Sequence, residues 1–194
     1  MSPSQVRLLK IVSDNVARVN RMIEDILNLS RKAQLHGEPL FLRQILADIL
    51  AEFCETHALS EGIFKLTGVE VHQVQFDPLH LREVVVNLLT NAVRYASGRN
   101  GSIRLQVVSD AANRLELHVQ DDGPGISPGV RAHLFEPFYT TSSKGTGLGL
   151  YLARELCLNN GAILDYEYRV GSVHDDQDQA AGRFVITFAL SDPL

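Results

Sequence analysis

The first 35 residues place apolar side chains at helical spacing. The positions recur every three or four residues and so fall on one stripe of a helix: Leu9, Val12, Val16, Val19, Ile23, Ile26 and Ser30. A stripe this narrow is typical of a helix that pairs with another helix, whereas a helix on a globular core usually has a wider apolar face. Two interpretations stay open: a helix docked on its own domain, or one member of a dimerising hairpin or bundle.

Beyond the break at 37–39, helical and strand-like patterns are interleaved. The predicted order is helix 40–56, short strands within 63–74, a helix opened by Asp77 and Pro78, strands 102–108 and 114–120, helix 147–160, and strands 163–168 and 184–190. Several of these strands connect as hairpins. The pattern therefore favours a mixed α+β sandwich over a doubly wound parallel sheet.

Composition narrows the classes of protein to consider. The 194 residues are 45% hydrophobic, which is enough to build a core without disulfides or metals. The 18 Lys and Arg against 23 Asp and Glu give a net charge of −5, which weighs against a nucleic-acid partner. No apolar run approaches the ~20 residues of a membrane span, and two cysteines outside any CxxC pair fit a reducing compartment. We expect this piece to be cytoplasmic and to make no membrane contact.

A first polar cluster lies within the predicted helix that follows Asp77. Asn87, Asn91 and Arg94 are spaced four and three residues apart, so two carboxamides and a guanidinium share one face. Asparagine is unfavourable within a helix, which suggests a ligand. Carboxamide oxygen suits Mg²⁺ and a guanidinium suits phosphate. The alternative is an ordinary solvated polar face.

A second cluster, at 121–126, follows a predicted strand. Asp121 at the strand end can accept a hydrogen bond from an exocyclic amine such as that of adenine. Gly123 and Gly125 permit tight turns and let a ligand approach the backbone. The alternative is a simple surface turn.

A third cluster, at 144–150, leads into a helix. Its glycines clear side chains from the helix N-terminus, where N–H groups and the helix dipole favour an anion. The spacing matches neither a P-loop nor a dinucleotide fingerprint. A flexible linker is the alternative, against which Leu148 and Leu150 argue. Upstream, Phe135 and Phe138 are predicted to anchor a lid onto the domain.

Taken together and in this order, these segments resemble the N, G1, F and G2 boxes of the ATP-binding catalytic domain of sensor histidine kinases. That domain belongs to the wider ATPase class of gyrase, heat-shock chaperone and mismatch-repair proteins. The resemblance covers the chain from about residue 40 to residue 190. The segment 18–31 is similar to the second helix of the dimerisation and phosphotransfer hairpin. The short lid and the segment 150–156 are most similar to those of nitrogen-regulation and pilus-regulation sensor kinases.

The resemblance implies a fold and a division of the chain. The fold is a two-layer α/β sandwich with a mixed sheet, preceded by one long dimerisation helix. Residues 1–36 would be the second helix of the hairpin, and residues 37–194 the catalytic ATP-binding domain.

The resemblance also implies a site for ATP and Mg²⁺. Asn91 and Asn87 would be the catalytic and metal-holding pair, Arg94 would contact phosphate, and Asp121 would accept from the adenine amine. The full set implied is Asn87, Asn91, Arg94, Tyr95, Asp121, Gly123, Gly125, Ile126, Thr141, Lys144, Gly145, Thr146, Gly147, Leu148 and Gly149. Hydrolytic members of the class carry Glu where this chain has Asn87, which favours phosphoryl transfer over hydrolysis.

The implied activity is transfer of the γ-phosphoryl group of ATP to a histidine. None of the seven histidines has the context of an acceptor, so we expect this chain to be unable to phosphorylate itself. The implied partners are an acceptor-histidine helix, the receiver domain of a response regulator and, in an intact kinase, a second copy. The resemblance is also compatible with a parent protein that is anchored in the inner membrane. Two alternatives remain: an ATP hydrolase or chaperone-like switch, and a scaffold with a degenerate pocket.

Overall fold

The computed structural model describes residues 2–30, 36–68, 73–109, 114–142, 145–168 and 182–189. The helices are α1 Pro3–Ser30, α2 Leu42–His57, α3 Pro78–Tyr95, α4 Pro128–Arg131 and α5 Gly149–Asn159. The strands are β1 Glu38–Phe41, β2 Phe64–Gly68, β3 Gln73–Phe76, β4 Ile103–Ser109, β5 Leu115–Asp121, β6 Ile163–Tyr168 and β7 Gly182–Thr187.

The main sheet has five strands in the order β2-β4-β5-β7-β6. β2 runs parallel to β4, and the other neighbours are antiparallel, so the sheet is mixed as predicted. One hydrophobic core joins the sheet to the helices, with buried side chains from β4, β5 and β7 packed together with those of α2, α3 and α5. The α+β sandwich with a long N-terminal helix is confirmed.

Several predicted boundaries were wrong. Leu40 and Phe41 belong to β1, which pairs with Val74 and Gln73 of β3, so α2 begins two residues later than its apolar period indicates. α5 begins at Gly149 because Gly147 has a φ of +73°, outside the helical region. α4 lies between β5 and α5, where no helix was predicted, and the last strand ends at Thr187. The predicted turn at 110–113 lies outside the described residues.

Helix α1 leaves its apolar stripe uncovered by the described part of this chain. Leu9, Val16 and Ile23 are each about half exposed, as are the other described members of the stripe. This exposure favours the interpretation of α1 as a helix that pairs with another. The helices within the described ranges include none that is both long and apolar enough to cross a bilayer.

Helix α3 begins at a buried carboxylate that joins three parts of the chain. Asp77 accepts hydrogen bonds from the N–H groups of Leu79 and His80, at 2.9 and 3.1 Å, as an N-cap does. It also accepts from the N–H of His36, at 3.1 Å, while its own N–H donates to Asn160 Oδ1 at 2.8 Å. Asp77 therefore ties the start of α3 to the segment before β1 and to the end of α5.

These donors also set the ionisation of Asp77. Burial acts to raise the pKa of its carboxyl, but the N–H donors of His36, His80 and Leu79 outweigh burial and lower the pKa. The charged form is thus more stable in the folded chain than in the unfolded one. Asp77 stabilises the fold above its unfolded pKa, and this contribution is lost as the pH falls through the lower folded pKa.

We expect Asp77→Ala to reduce the free energy of unfolding by about 1–2 kcal/mol, because it removes the cap of α3. Asp77→Asn keeps an acceptor oxygen and should lose less. The difference between wild type and Asp77→Asn should shrink below about pH 4. Urea denaturation of wild type and both variants at pH 7 and pH 3.5 measures the free energy of unfolding. An equal loss of this free energy for both variants at both pH values would contradict this account.

Candidate functional site

A cleft of about 420 Å³ opens beside α3. Its walls come from the C-terminal half of α3, the end of β5 with the loop after it, residues 139–141 and 145–147, and the first turn of α5. Residues from β6 and β7 close the back. The size and the mixture of apolar and polar walls are those of a small-molecule site.

Helix α3 supplies a polar wall because its opposite face is buried. Leu81, Val84, Val85, Leu88, Leu89 and Ala92 are almost inaccessible to solvent and form the inner face. This packing turns Asn87, Asn91 and Arg94 toward the cleft, as their spacing predicts.

Asn87 is held against the start of α5. Its Nδ2 donates to the carbonyl of Glu83 at 3.0 Å, and its Oδ1 lies where a side chain at position 149 would project. A Cβ added to Gly149 would stand 2.6 Å from that oxygen. Glycine at 149 therefore lets the amide wall and the helix N-terminus meet.

Asp121 lies at the end of β5, on the floor of the cleft. Its Oδ1 accepts from the N–H of Gly123 at 2.9 Å. A Cβ at Gly123 would stand 2.5 Å from the carbonyl of Tyr95 and 2.7 Å from Oδ1, so this turn has no room for a larger residue. Burial, helped by the neighbouring Asp122 carboxylate, raises the pKa of Asp121 despite the Gly123 N–H.

Asp122 has the opposite environment. Its carboxylate accepts from the hydroxyl and the N–H of Ser97, at 2.6 and 2.8 Å, and lies near Arg99. The Ser97 donors lower the pKa of Asp122. Of two adjacent carboxylates, Asp121 lines the cleft at a cost in desolvation, and Asp122 fastens the loop after α3.

A backbone hydrogen bond beside the cleft joins two distant points of the chain, from the Phe138 N–H to the Gly147 carbonyl at 2.8 Å. Both residues have positive φ, +66° and +73°. A Cβ at Gly147 would lie 2.5 Å from the Phe138 backbone, so only glycine fits there. Thr140, Thr141 and Thr146 line the cleft between these two points.

Most of the residues predicted for the site line this one cleft. They are Asn87, Asn91, Arg94, Tyr95, Asp121, Gly123, Gly125, Ile126, Thr141, Gly145, Thr146, Gly147 and Gly149. Leu148 does not line it; its side chain is buried in the body of the domain. Lys144 lies outside the described residues.

The prediction for the two phenylalanines was half wrong. Phe135 does pack on the domain, edge-on to Phe184 with ring centroids 6.5 Å apart. Phe138 is 62% exposed, because its left-handed backbone turns the side chain away from the core.

The sequence reasoning also missed the back wall of the cleft. Tyr166, Gly182 and Phe184 come from the β6–β7 hairpin, and Leu134 and Tyr139 come from the segment after α4. The sequence signal for these hairpin residues was the alternation of side chains along the two strands. That alternation does not distinguish a residue buried in the core from one that lines the cleft.

The cleft is polar at one end and apolar with a single carboxylate at the other. Amides, a guanidinium and glycine-rich backbone suit a phosphate chain with its counter-ion. A partly buried carboxylate beside apolar side chains suits a flat base that carries an amine.

Comparison with known proteins agrees with this chemistry. Residues 76–192 match the family model described as histidine kinase-, DNA gyrase B- and HSP90-like ATPase. The sensor protein kinase PilS of Pseudomonas aeruginosa is 40% identical over 94% of this chain and 34% of its own length. The chain thus spans about a third of the length of this relative.

Two solved structures share the fold at low sequence identity. Histidine kinase ThkA in complex with response regulator protein TrrA has a TM-score of 0.70 at 21% identity, over 97% of this chain and 52% of that one. Full-length ShkA in complex with AMPPNP has a TM-score of 0.66 at 22% identity, over 98% of this chain and 40% of that one.

The raised pKa of Asp121 predicts that its charge destabilises the free protein. The folded state binds the carboxyl proton of Asp121 more readily than the unfolded state does. Protonated Asp121 therefore stabilises the fold below the unfolded pKa, and this contribution is lost as the pH rises through the folded pKa. We expect Asp121→Asn to leave the thermal midpoint at pH 7 unchanged or to raise it. Asp122→Asn should lower it, because it weakens the Ser97 bonds. Calorimetry without nucleotide measures both; a large loss confined to Asp121→Asn would contradict the assignment.

Proposed function

The chain belongs to the family of histidine kinase-, DNA gyrase B- and HSP90-like ATPases, and we propose that it binds Mg-ATP and transfers the γ-phosphoryl group to a histidine of a sensor kinase. The observation that carries this proposal is the contact between Asn87 and Gly149. These positions lie far apart in sequence, and no side chain larger than hydrogen fits between them. The contact joins an amide wall to a helix N-terminus, which is where a triphosphate needs its ligands.

In this proposal the adenine occupies the inner end of the cleft. The Asp121 carboxylate accepts a hydrogen bond from the exocyclic amine, and Tyr95 and Ile126 lie against the base. Gly123 and Gly125 keep the floor open for the ring. The triphosphate runs toward Arg94 and the 145–149 segment, where Thr146 and the glycines line the cleft together with Thr141.

Asn91 and Asn87 would hold the Mg²⁺ ion through their amide oxygens. The Nδ2 of Asn87 already donates to Glu83, which leaves its oxygen turned to the cleft. Within the described ranges no group of three or more His, Cys, Asp or Glu side chains is arranged to hold a metal. That donor set fits Mg²⁺ bound chiefly by substrate phosphates and water, with few protein ligands. When bound, the ion would neutralise phosphate charge.

Position 87 favours transfer over hydrolysis. An amide does not take a proton from water, whereas a carboxylate there could act as a general base. Glu83, one turn earlier on α3, does not line the cleft, and its Oε1 lies 3.4 Å from Asn87 Nδ2. These observations make an ATP hydrolase only the second candidate function. Steady phosphate release without an acceptor would support it.

The partners follow from the same assignment. The uncovered stripe of α1 suits the helical hairpin of a kinase dimer, in which the acceptor histidine lies on another helix. A curated relative is a sensor kinase, and one structural neighbour is a kinase in complex with a response regulator. We propose a receiver domain as the final phosphoryl acceptor, and the cytoplasm as the compartment in which the domain works.

Asn91→Asp and Asp121→Asn should each weaken ATP binding roughly 100-fold or more, because the first places a negative charge beside the phosphate chain and the second removes the charge of the carboxylate that accepts from the amine. Asn100→Asp and Asp122→Asn make the same chemical changes outside the cleft and should bind within about twofold of wild type. Binding by wild type should weaken as the pH falls through the raised pKa of Asp121. Titration calorimetry measures these affinities; tight binding by Asn91→Asp or Asp121→Asn would refute the site.

Incubation with ATP labelled at the γ-phosphate should label no histidine of this chain. Addition of a separate hairpin domain that carries the acceptor histidine of a pilus-type sensor kinase should give acid-labile label on that domain, and Asn87→Ala should abolish it. Self-labelling would contradict the acceptor assignment. ATP binding without transfer would support the scaffold alternative instead.

A further inference from the structure

Tyr166 enters the cleft through a gap left by a glycine. It lies on β6 opposite Phe184 of β7, and its ring leans across the diagonal neighbour Gly182. A Cβ built on Gly182 would stand 1.6 Å from the phenol oxygen and 2.0 Å from the carbon that carries it. The hydroxyl thus occupies the space that any other residue at 182 would fill.

The ring is fixed on its other sides. It packs edge-on against Phe184, with centroids 5.2 Å apart, and its oxygen accepts a hydrogen bond from the N–H of Ile126 at 3.1 Å. Ile126 belongs to the loop that carries Gly123 and Gly125. The phenol oxygen therefore lies at the junction of β6, β7 and the floor of the cleft.

The proton of this hydroxyl has no acceptor among the described residues. A phenol oxygen both donates and accepts, and only its acceptor role is used. Burial raises the pKa of Tyr166, and the nearby Asp121 carboxylate adds to the effect, so the group stays protonated at neutral pH. Tyr166 and Asp121 both line the cleft, one as a donor and the other as an acceptor.

We propose that Tyr166 determines specificity for adenine, with its O–H donating to a ring nitrogen that flanks the amine, directly or through one water. This rests on the proposed function, in which Asp121 accepts from that amine. Adenine presents a donor amine between two acceptor nitrogens, N1 and N7. The Asp121–Tyr166 pair is the complement of that pattern. Guanine carries an oxygen in place of the amine and would face the Asp121 carboxylate.

The competing role for Tyr166 is structural: the phenol oxygen only supports the loop through Ile126. Tyr166→Phe removes both functions, so a simple loss of affinity does not separate them. The two roles are separated by measuring wild type and Tyr166→Phe with both ATP and base analogues, as in a double-mutant cycle. A residue that only supports the loop affects the binding of all nucleotides equally.

The test uses the full chain with ATP, 1-deaza-ATP and 7-deaza-ATP, each of the latter lacking one ring nitrogen. Wild type should bind ATP about three- to tenfold more tightly than one of the two analogues, the range of a single neutral hydrogen bond. In Tyr166→Phe that preference should disappear. A preference that survives in Tyr166→Phe, or none in wild type, overturns the inference while ATP binding itself leaves the proposed function intact.

Two further variants complete the test. Tyr168→Phe is the matched control, because Tyr168 lies two residues along the same strand over Arg131 and does not line the cleft. It should keep the wild-type preference. Gly182→Ala should lose the preference as Tyr166→Phe does, since its methyl group displaces the phenol. Failure of wild type to bind ATP at all would overturn the proposed function as well.

Discussion

The structure depends on the burial of one face of α3. Six apolar side chains on that face are almost inaccessible to solvent, which fixes the rotation of the helix about its axis. That rotation sets the direction of Asn87, Asn91 and Arg94. The core, and not the loops, therefore determines where these polar groups lie. The start of α5 then meets α3 at Asn87, and the loop after β5 meets its end at Tyr95.

The same cleft contains a carboxyl whose charge is disfavoured by its surroundings. Burial disfavours the charge of Asp121 and raises the pKa of its carboxyl, although the Gly123 N–H donates to it. The neighbouring Asp122 has a structural role, and three donor groups surround its carboxylate: the N–H and hydroxyl of Ser97 and the guanidinium of Arg99. If Asp121 binds an amine as proposed, its acceptor capacity has to stay unused in the free protein, at a cost to the stability of the fold.

Local patterns predicted the elements and most of the cleft, because helical spacing and capping act within a few residues. Asp77 and Pro78 fixed the start of α3, and the spacing of Asn87 and Asn91 fixed their common face. Leu40 and Phe41 were assigned to a helix because their strand exists only through pairing with β3. The spacing of glycines did not indicate that Leu148 turns inward, and nothing near Phe138 indicated its positive φ. Tyr166 and Gly182 meet across a hairpin, so their relation is not visible in either local pattern.

That contact also limits the order in which the sequence can change. A methyl group at 182 overlaps the phenol of Tyr166, so Gly182 is free to vary only after position 166 has become smaller. The reverse order is open: a smaller residue at 166 leaves a gap and no clash. Related chains that carry a larger residue at the position of Gly182 are therefore expected to lack tyrosine at the position of Tyr166. If such a larger residue carries a hydroxyl, it would bring a donor to the same point from the opposite strand.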